Sequence, residues 1–275
     1  MSVSVTAVDR ALDILLCFNE GNPRLSLSQI AGQLNLPKST IHRHLATLEN
    51  KHFINREQAT GMYHLGLRFV EMAALILQEA GFQRWTQPYL ERLSAEYGET
   101  VDLAVLDGTH VIYLQVIESS QRVKIAAAVG QRLPAYCTAS GKAFLAFLPE
   151  EQVREILPER MIRYSENTRV SLPELYEDLR ATRERGFAIS EQEYEKDINA
   201  GAAPILDASG YPVAVIAVAG PSYRLSHEQM SVLGKSIRKT TEAIAREGGL
   251  AILSTIISNT ATPGLAGQTM RKGVL

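Results

Sequence analysis

The segment from residue 36 to residue 50 constrains the fold most, because its side chains divide into two opposed faces. At a helical rotation of about 100° per residue, Ile41, Leu45 and Leu48 fall on one side, where they would face a core. The other side carries hydroxyl, histidine, arginine and asparagine side chains, which can reach the phosphates and base edges of DNA. The pattern predicts a short helix with one buried face and one DNA-contacting face.

The residues on either side of this segment predict the rest of a small domain. Apolar side chains recur at helical spacing over residues 6–18, and a second helix is expected to begin at Ser26 or Leu27. A tight turn joins that helix to the one at residues 36–50, which is the helix-turn-helix arrangement. Two short β-prone runs within residues 53–65 flank a turn that contains glycine, so we expect a hairpin, or wing. Residues 1–66 are therefore predicted to form a winged helix-turn-helix domain.

The remaining residues divide into a linker, a mixed domain and a tail. Residues 67–84 carry a helical pattern that is apolar nearly all round, so this helix is a candidate for pairing with another subunit. Residues 85–248 alternate between strand-like and helical runs, which predicts an α+β fold with an antiparallel sheet. The expected strands are residues 100–107, 110–117, 186–192, 200–206 and 211–219. The expected helices are one that contains Leu90, Leu93 and Tyr97 and stops at Gly98, then residues 140–147, 150–157 and 172–185, and a last helix from about 226. Residues 249–275 form a tail whose structure the pattern leaves open.

Composition and charge limit the partners and the compartment. The net charge is −2, so contact with nucleic acid requires a local basic patch, and residues 38–56 provide one. Cys17 and Cys137 are too far apart for a CxxC site and too few for a disulfide framework, which favours a reducing cytoplasm. We also expect no signal peptide, no membrane span, no cofactor and no metal site, because the corresponding patterns are missing.

Several blocks of the sequence resemble the IclR family of bacterial transcription regulators. The matching blocks, in chain order, are residues 36–45, 63–66, 129–146, 186–188, 191–195, 201–204 and 218–221. The resemblance covers roughly residues 5–248 and implies a winged helix-turn-helix joined by a linker helix to a GAF-like effector-binding domain. It also implies homodimers, often paired as a dimer of dimers, on palindromic double-stranded operator DNA. A small organic acid or aromatic metabolite would then control DNA binding.

The candidate DNA contacts lie on the predicted recognition helix and on the wing. They are Lys38, Ser39, Thr40, His42, Arg43, Thr47 and Arg56. Arg43 is the strongest candidate for reading a base, because a guanidinium can bond O6 and N7 of guanine together. Residues at the start of the helix are placed for phosphate contact, and Arg56 is expected to contact the DNA backbone. The alternative is a solvated polar helix face in an unrelated domain, which the neighbouring helix, turn and basic wing disfavour.

The resemblance also implies an effector pocket in the second domain. Its expected residues are Cys137, Thr138, Ala139, Ser140, Ser190, Ile198, Ala200, Ala217 and Ala219. Some relatives that bind small polar acids carry an acid, a cysteine and two serines at positions 190, 200, 217 and 219, where this chain has only serine or alanine. We therefore expect a larger or more apolar effector, such as an aromatic acid, rather than a small keto acid. The alternative is that these alanines only pack the core.

These patterns predict a ligand-responsive transcription regulator rather than an enzyme. We expect a repressor of catabolic genes, with an activator of the same family as the alternative. A sensing module that acts by protein contact alone is disfavoured by the basic patch at residues 38–56. An enzyme that uses Cys137 as a nucleophile is a remote alternative, since this residue has no recognisable histidine partner and the common cofactor and hydrolase motifs are missing.

Overall fold

The chain divides into two compact units, with the boundary between Gln78 and Glu79. The computed structural model describes residues 5–19, 21–79 and 82–247 of the 275 residues, so the predicted tail at residues 249–275 lies outside the described residues. The boundary falls within the segment expected to be the linker, residues 67–84. None of the helices in the described ranges is long and apolar enough to cross a membrane.

The first unit contains, in its described residues, four helices and a two-stranded hairpin. The elements are α1 (Thr6–Leu16), α2 (Leu27–Leu34), α3 (Lys38–Asn50), β1 (Ile54–Arg56), β2 (Tyr63–Leu65) and α4 (Arg68–Glu79). Ser26 and Gln29 form a reciprocal capping box at the start of α2, and Asn35 ends that helix in a left-handed conformation with φ of 51°. This turn leads into α3, and the antiparallel β1–β2 hairpin follows as the wing. The predicted winged helix-turn-helix is confirmed.

The core of the first unit is formed by α1, α2, α3 and the hairpin. The three apolar residues predicted for the inner face of α3 are all buried. On α1, Ile14 enters the core, whereas the apolar side chains of Val8, Leu12 and Leu16 are 54%, 53% and 77% exposed. The apolar repeat of α1 therefore covers two sides of the helix, and one of them forms an apolar surface on this unit.

The second unit packs helices on a six-stranded antiparallel sheet. Its elements are α5 (Phe82–Tyr97), β3 (Thr100–Asp107), β4 (His110–Ile117), β5 (Arg132–Pro134), a 3-10 turn (Ala135–Cys137), α6 (Ala139–Leu145), α7 (Glu150–Ile156), α8 (Leu172–Arg185), β6 (Ala188–Glu191), β7 (Ile198–Leu206), β8 (Pro212–Pro221) and α9 (His227–Arg246). The strand order is β5-β4-β3-β8-β7-β6, and every neighbouring pair is antiparallel. The predicted α+β fold with an antiparallel sheet is confirmed.

The sheet of the second unit is covered by helices on both faces. On one face, α5 and α9 pack against the sheet, and Leu90 and Leu233 are buried there. On the other face, α6 packs against a set of small and apolar residues that includes Ala104 and Val215. Because successive side chains of a strand point to opposite faces, Asp102 lies on the same face as Ala104, towards α6. The residues predicted to bind the effector belong to this face.

Candidate DNA-contact surface and effector cavity

The seven predicted DNA contacts all lie on the first unit, six on α3 and one on the wing. The side chains at positions 38, 39, 42, 43, 47 and 56 are exposed, and that of Thr40 is partly buried. Thr47 donates its hydroxyl to the carbonyl oxygen of Arg43 at 3.0 Å, so this hydroxyl is held against the helix. The guanidinium of Arg56 lies 5.6 Å from the ring centre of Tyr63, across the hairpin. The structure thus gathers these residues on the outer side of α3 and on the adjacent hairpin.

Lys38 and Arg43 of α3 present exposed positive charge to an anionic ligand. In the described part of the chain, neither Lys38 nor Arg43 forms an ion pair with a carboxylate. On the wing, the carboxylate of Glu57 lies 3.5 Å from the guanidinium of Arg24. Exposed, unpaired cations on a helix surface suit the negative charge of a DNA backbone. The individual roles of the seven residues stay predictions.

A cavity lies between α6 and the sheet of the second unit. Eight of the nine residues predicted to bind the effector line it, namely Thr138, Ala139, Ser140, Ser190, Ile198, Ala200, Ala217 and Ala219. They come from the start of α6 and from β6, β7 and β8, so only the folded sheet brings them together. The cavity has a water-accessible volume of about 80 Å³, which is enough for a compact organic molecule.

Sequence reasoning missed several polar residues of the cavity wall. They are Asp102, Tyr113, Gln131, Tyr194 and Glu195, and four apolar residues complete the part that was not predicted. The wall is therefore more polar than the replacements at positions 190, 200, 217 and 219 indicate. A polar residue inside an otherwise apolar strand is a usable signal in the sequence, because a polar side chain is seldom buried unless it has a hydrogen-bond partner. Asp102 within β3 has this pattern.

Asp102 is a carboxyl group of the cavity wall whose ionisation is strongly affected by burial. Its side chain is almost completely buried, and the hydroxyl of Ser140 donates to Oδ1 at a long distance of 3.5 Å. Burial raises the pKa of this carboxyl to about 8, and the hydrogen bond from Ser140 only partly opposes that rise. The carboxyl is therefore mostly uncharged at neutral pH.

Cys137 is the one predicted effector residue that lies outside the cavity lining. Its side chain is buried in a separate apolar cluster, and its carbonyl oxygen accepts a hydrogen bond from Ser190 at 3.4 Å. Burial, together with the negative charge of Glu193, raises the pKa of the Cys137 thiol to about 12. A thiol that stays protonated is a poor nucleophile. Among the described residues, no group of three or more His, Cys, Asp or Glu side chains is placed to hold a metal ion.

The chain before α6 is held in place by one glycine and one threonine. A Cβ atom at Gly141 would lie 2.1 Å from the carbonyl oxygen of Ala135, so only glycine lets the 3-10 turn pack this closely on the helix. Thr138 caps α6: its hydroxyl accepts from the N–H of Gly141 at 3.2 Å and donates to the carbonyl of Pro134 at 2.8 Å. This packing fixes the cavity-lining start of α6.

A buried ion network ties α6 to the opposite wall of the cavity. Lys142 is fully buried, and its ammonium donates to Asp178 at 2.7 Å, to Glu193 at 2.6 Å and to the carbonyl oxygen of Ile189 at 2.6 Å. Arg169 provides a second cation for Glu193, at 2.7 Å. The two residues that follow Glu193 line the cavity. One lysine thus joins α6, α8, β6 and the loop after β6 around the site.

Family models match both units of the chain. The model of the IclR helix-turn-helix domain matches residues 7–58, and the model of the C-terminal domain of bacterial IclR transcriptional regulators matches residues 74–246. The second match alone covers more than half of the chain. Both matches agree with the order of domains that the sequence blocks imply.

Individual relatives match along most of their length. The transcriptional repressor IclR of Escherichia coli K12 is 31% identical over 243 residues, which cover 87% of this chain and 89% of the relative. The transcriptional repressor AllR of the same strain is 30% identical over 245 residues, or 89% and 90% of the two chains. A transcriptional regulator of Rhodococcus sp. RHA1 superposes with a TM-score of 0.75 at 31% identity, over 92% of this chain and 100% of the other. The chain therefore belongs to the IclR family of bacterial transcriptional regulators, and it is a ligand-responsive transcription regulator, not an enzyme.

Proposed function

We propose that this protein is a homodimeric repressor of catabolic genes that binds a palindromic operator through α3 and the wing, and that a small organic acid in the cavity beside α6 controls this binding. One observation carries the proposal. Eight residues selected from the sequence as effector contacts, on four separate elements, line a single cavity. The same chain carries an exposed basic helix in its helix-turn-helix unit.

Repression is supported by the relatives. Escherichia coli IclR and AllR are both named as repressors, and each aligns with about nine-tenths of this chain. A repressor of this kind works by occupying DNA that the promoter needs, and the effector changes how often the DNA is occupied. Because the operator is chromosomal DNA, we place the protein in the bacterial cytoplasm.

The homodimer is supported by apolar surface on the first unit. Val8, Leu12 and Leu16 form a stripe on α1 that is more than half exposed. On α4 and just before it, Val70 and Leu67 are 63% and 75% exposed. A contiguous apolar stripe such as the one on α1 marks an interaction site. A second copy of the chain would cover it and would place two α3 helices on two operator half-sites. A dimer of dimers stays a prediction.

The cavity supports a compact acid as effector. A water-accessible volume of about 80 Å³ is room for on the order of five to eight water molecules. The alanines at positions 200, 217 and 219 supply an apolar wall, and Ser140 and Ser190 place hydroxyl groups in the same lining. These features suit an acid with an apolar body, and an aromatic acid is the finer form of the proposal.

Selection of binding sites from random DNA by the full-length protein tests the regulator. We expect enrichment of a palindromic site with half-sites one turn of DNA, or a multiple of one turn, apart. Affinity for that site should fall steeply as salt increases, because phosphate contacts release counterions. Organic acids are then titrated against the complex in a gel shift, and release of the DNA is expected. If no palindromic site is enriched, the proposal fails.

A further inference from the structure

The carboxyl group of Asp102 is part of the cavity wall. Asp102 lies on β3, with Val116 of β4 and Ala217 of β8 as its register neighbours in the sheet. Ser140 of α6 approaches it from the helix layer. Apolar or small residues thus flank the carboxyl within the sheet, and the cavity lies beside it.

One of the two carboxyl oxygens has no hydrogen-bond partner among the described residues. Oδ1 accepts the long hydrogen bond from Ser140, and no described residue donates to Oδ2. Among the described residues, Oδ2 is not one of the fully buried polar atoms that lack a hydrogen-bond partner. Because it has no partner and is not fully buried, Oδ2 opens on the cavity that Asp102 lines. A carboxyl that is 2% exposed almost always has hydrogen-bond partners for both oxygens. The missing partner must come from what fills the cavity.

The charges around Asp102 decide what that partner can be. The ionisable residues of the described cavity lining are Asp102, Tyr113, Tyr194 and Glu195, and none is lysine, arginine or histidine. Without a cation nearby, burial keeps the Asp102 carboxyl protonated at neutral pH. A protonated carboxyl both donates and accepts hydrogen bonds. A hydroxyl group has the same two capacities, so the two can pair without bringing net charge into the cavity.

We propose, resting on the proposed function above, that Asp102 is a specificity residue that selects effectors carrying a hydroxyl group in addition to their carboxylate. The hydroxyl pairs with the free oxygen of Asp102, and the rest of the effector contacts the alanine wall. An acid that lacks the hydroxyl leaves this oxygen unsatisfied when it displaces water, which lowers its affinity.

Matched pairs of acids test this selectivity. Full-length protein is titrated by calorimetry at pH 7 with 3-hydroxybutyrate and butyrate, and with 4-hydroxybenzoate and benzoate. Amino analogues of both acids complete the panel. In the wild type, we expect the hydroxy acid of at least one pair to bind about tenfold more tightly than its partner. In Asp102→Asn, whose amide donates and accepts, the preference should remain. In Asp102→Leu it should fall below about threefold.

Asp107→Leu is the matched control. It makes the same replacement on the same strand, but outside the cavity lining and on a side chain that is 45% exposed. It should keep the wild-type preference, and a cooperative urea transition of Trp85 fluorescence, together with retained operator binding, shows that both units of each variant fold. Equal binding of hydroxy and plain acids, tightest binding of the amino analogues, or an unchanged preference in Asp102→Leu overturns the inference and leaves the acid-controlled regulator in place. If the wild type binds its operator but none of the acids, the acid effector itself is wrong and the inference falls with it.

Discussion

Replacing Lys142 with methionine removes the centre of the buried ion network and keeps a side chain of similar length. The lysine is fully buried and makes three charge-assisted hydrogen bonds of 2.6–2.7 Å. Its carboxylate partners Asp178 and Glu193 are 12% and 3% exposed, so water cannot replace the ammonium. Loss of one partner from a buried ion pair costs about 3–5 kcal/mol. Arg169 still reaches Glu193, so we expect a loss near the lower end, about 3 kcal/mol.

Urea unfolding measures this loss. The only tryptophan of the chain is Trp85, which packs against the core of the second unit, so its fluorescence reports that unit. Protein concentration is held constant, because association adds to apparent stability. The double variant Lys142→Met/Glu193→Gln should recover part of the loss, since it removes a buried charge together with its partner. Lys124→Met, which breaks an exposed pair, should change stability by less than about 1 kcal/mol. A loss for Lys142→Met no larger than that of Lys124→Met would refute the reasoning.

Three further substitutions probe other parts of the molecule. Arg43→Ala should weaken operator binding by about 1–3 kcal/mol and relax the base preference in a gel shift at fixed salt. The control Arg154→Ala replaces an exposed arginine of the second unit and should change neither quantity. If both variants weaken operator binding equally, Arg43 does not read a base. In the wild type, Asp102 keeps its proton to about pH 8 when folded and loses it near 3.8 when unfolded, so stability falls with rising pH by about 1.4 kcal/mol per unit between these values. In Asp102→Asn, the free energy of unfolding measured in urea from pH 5 to 8 should lack this decrease. If the free energies of the wild type and the variant change in parallel with pH, Asp102 does not have a raised pKa. Gly141→Ala should destabilise the second unit by about 1–3 kcal/mol in the tryptophan fluorescence assay, because the new Cβ would lie 2.1 Å from a backbone oxygen. If the variant is as stable as the wild type, the 3-10 turn can move to accommodate the Cβ.

Elements with strong local signals could be predicted from the sequence. Strands β3 and β4 have the predicted bounds, because an apolar run, the Asp107-Gly108 turn and a second run follow one another directly. Helix α8 also has the predicted bounds, with Ser171 capping its start and Gly186 in a left-handed conformation at its end. Strand β5 and the 3-10 turn after it contain three residues each, too few for any periodicity.

The orientation of α1 shows a different limit. Its apolar residues recur at helical spacing, yet Ile14 is buried while Leu12 and Leu16 are largely exposed. This helix has more apolar residues than one face can hold. Its periodicity therefore does not indicate which face packs against the core of its own unit. That choice depends on α2 and α3, which pack against α1 from one side.

The residues of the cavity likewise comprise some that the sequence predicts and some that only the tertiary structure shows. The resemblance to the family predicts eight of its lining residues, which lie at the start of α6 and on β6, β7 and β8. It does not indicate Asp102 or Tyr113, which reach the cavity from β3 and β4, and it assigns no contact to Tyr194, although this residue lies in the block at residues 191–195. Nor does it show that Cys137, adjacent in sequence to the lining residue Thr138, turns away from the cavity.

The sequence by itself determined the family, the order of the domains, the two faces of α3 and eight of the seventeen cavity-lining positions. Those properties depend on spacing along the chain, which the backbone geometry of helices and strands converts directly into faces. The tertiary structure alone decided which apolar face of α1 is exposed, which polar groups line the cavity and how strongly burial raises the pKa of Asp102. Exposure to water and proximity to charge depend on residues far apart in sequence, so no local pattern contains them.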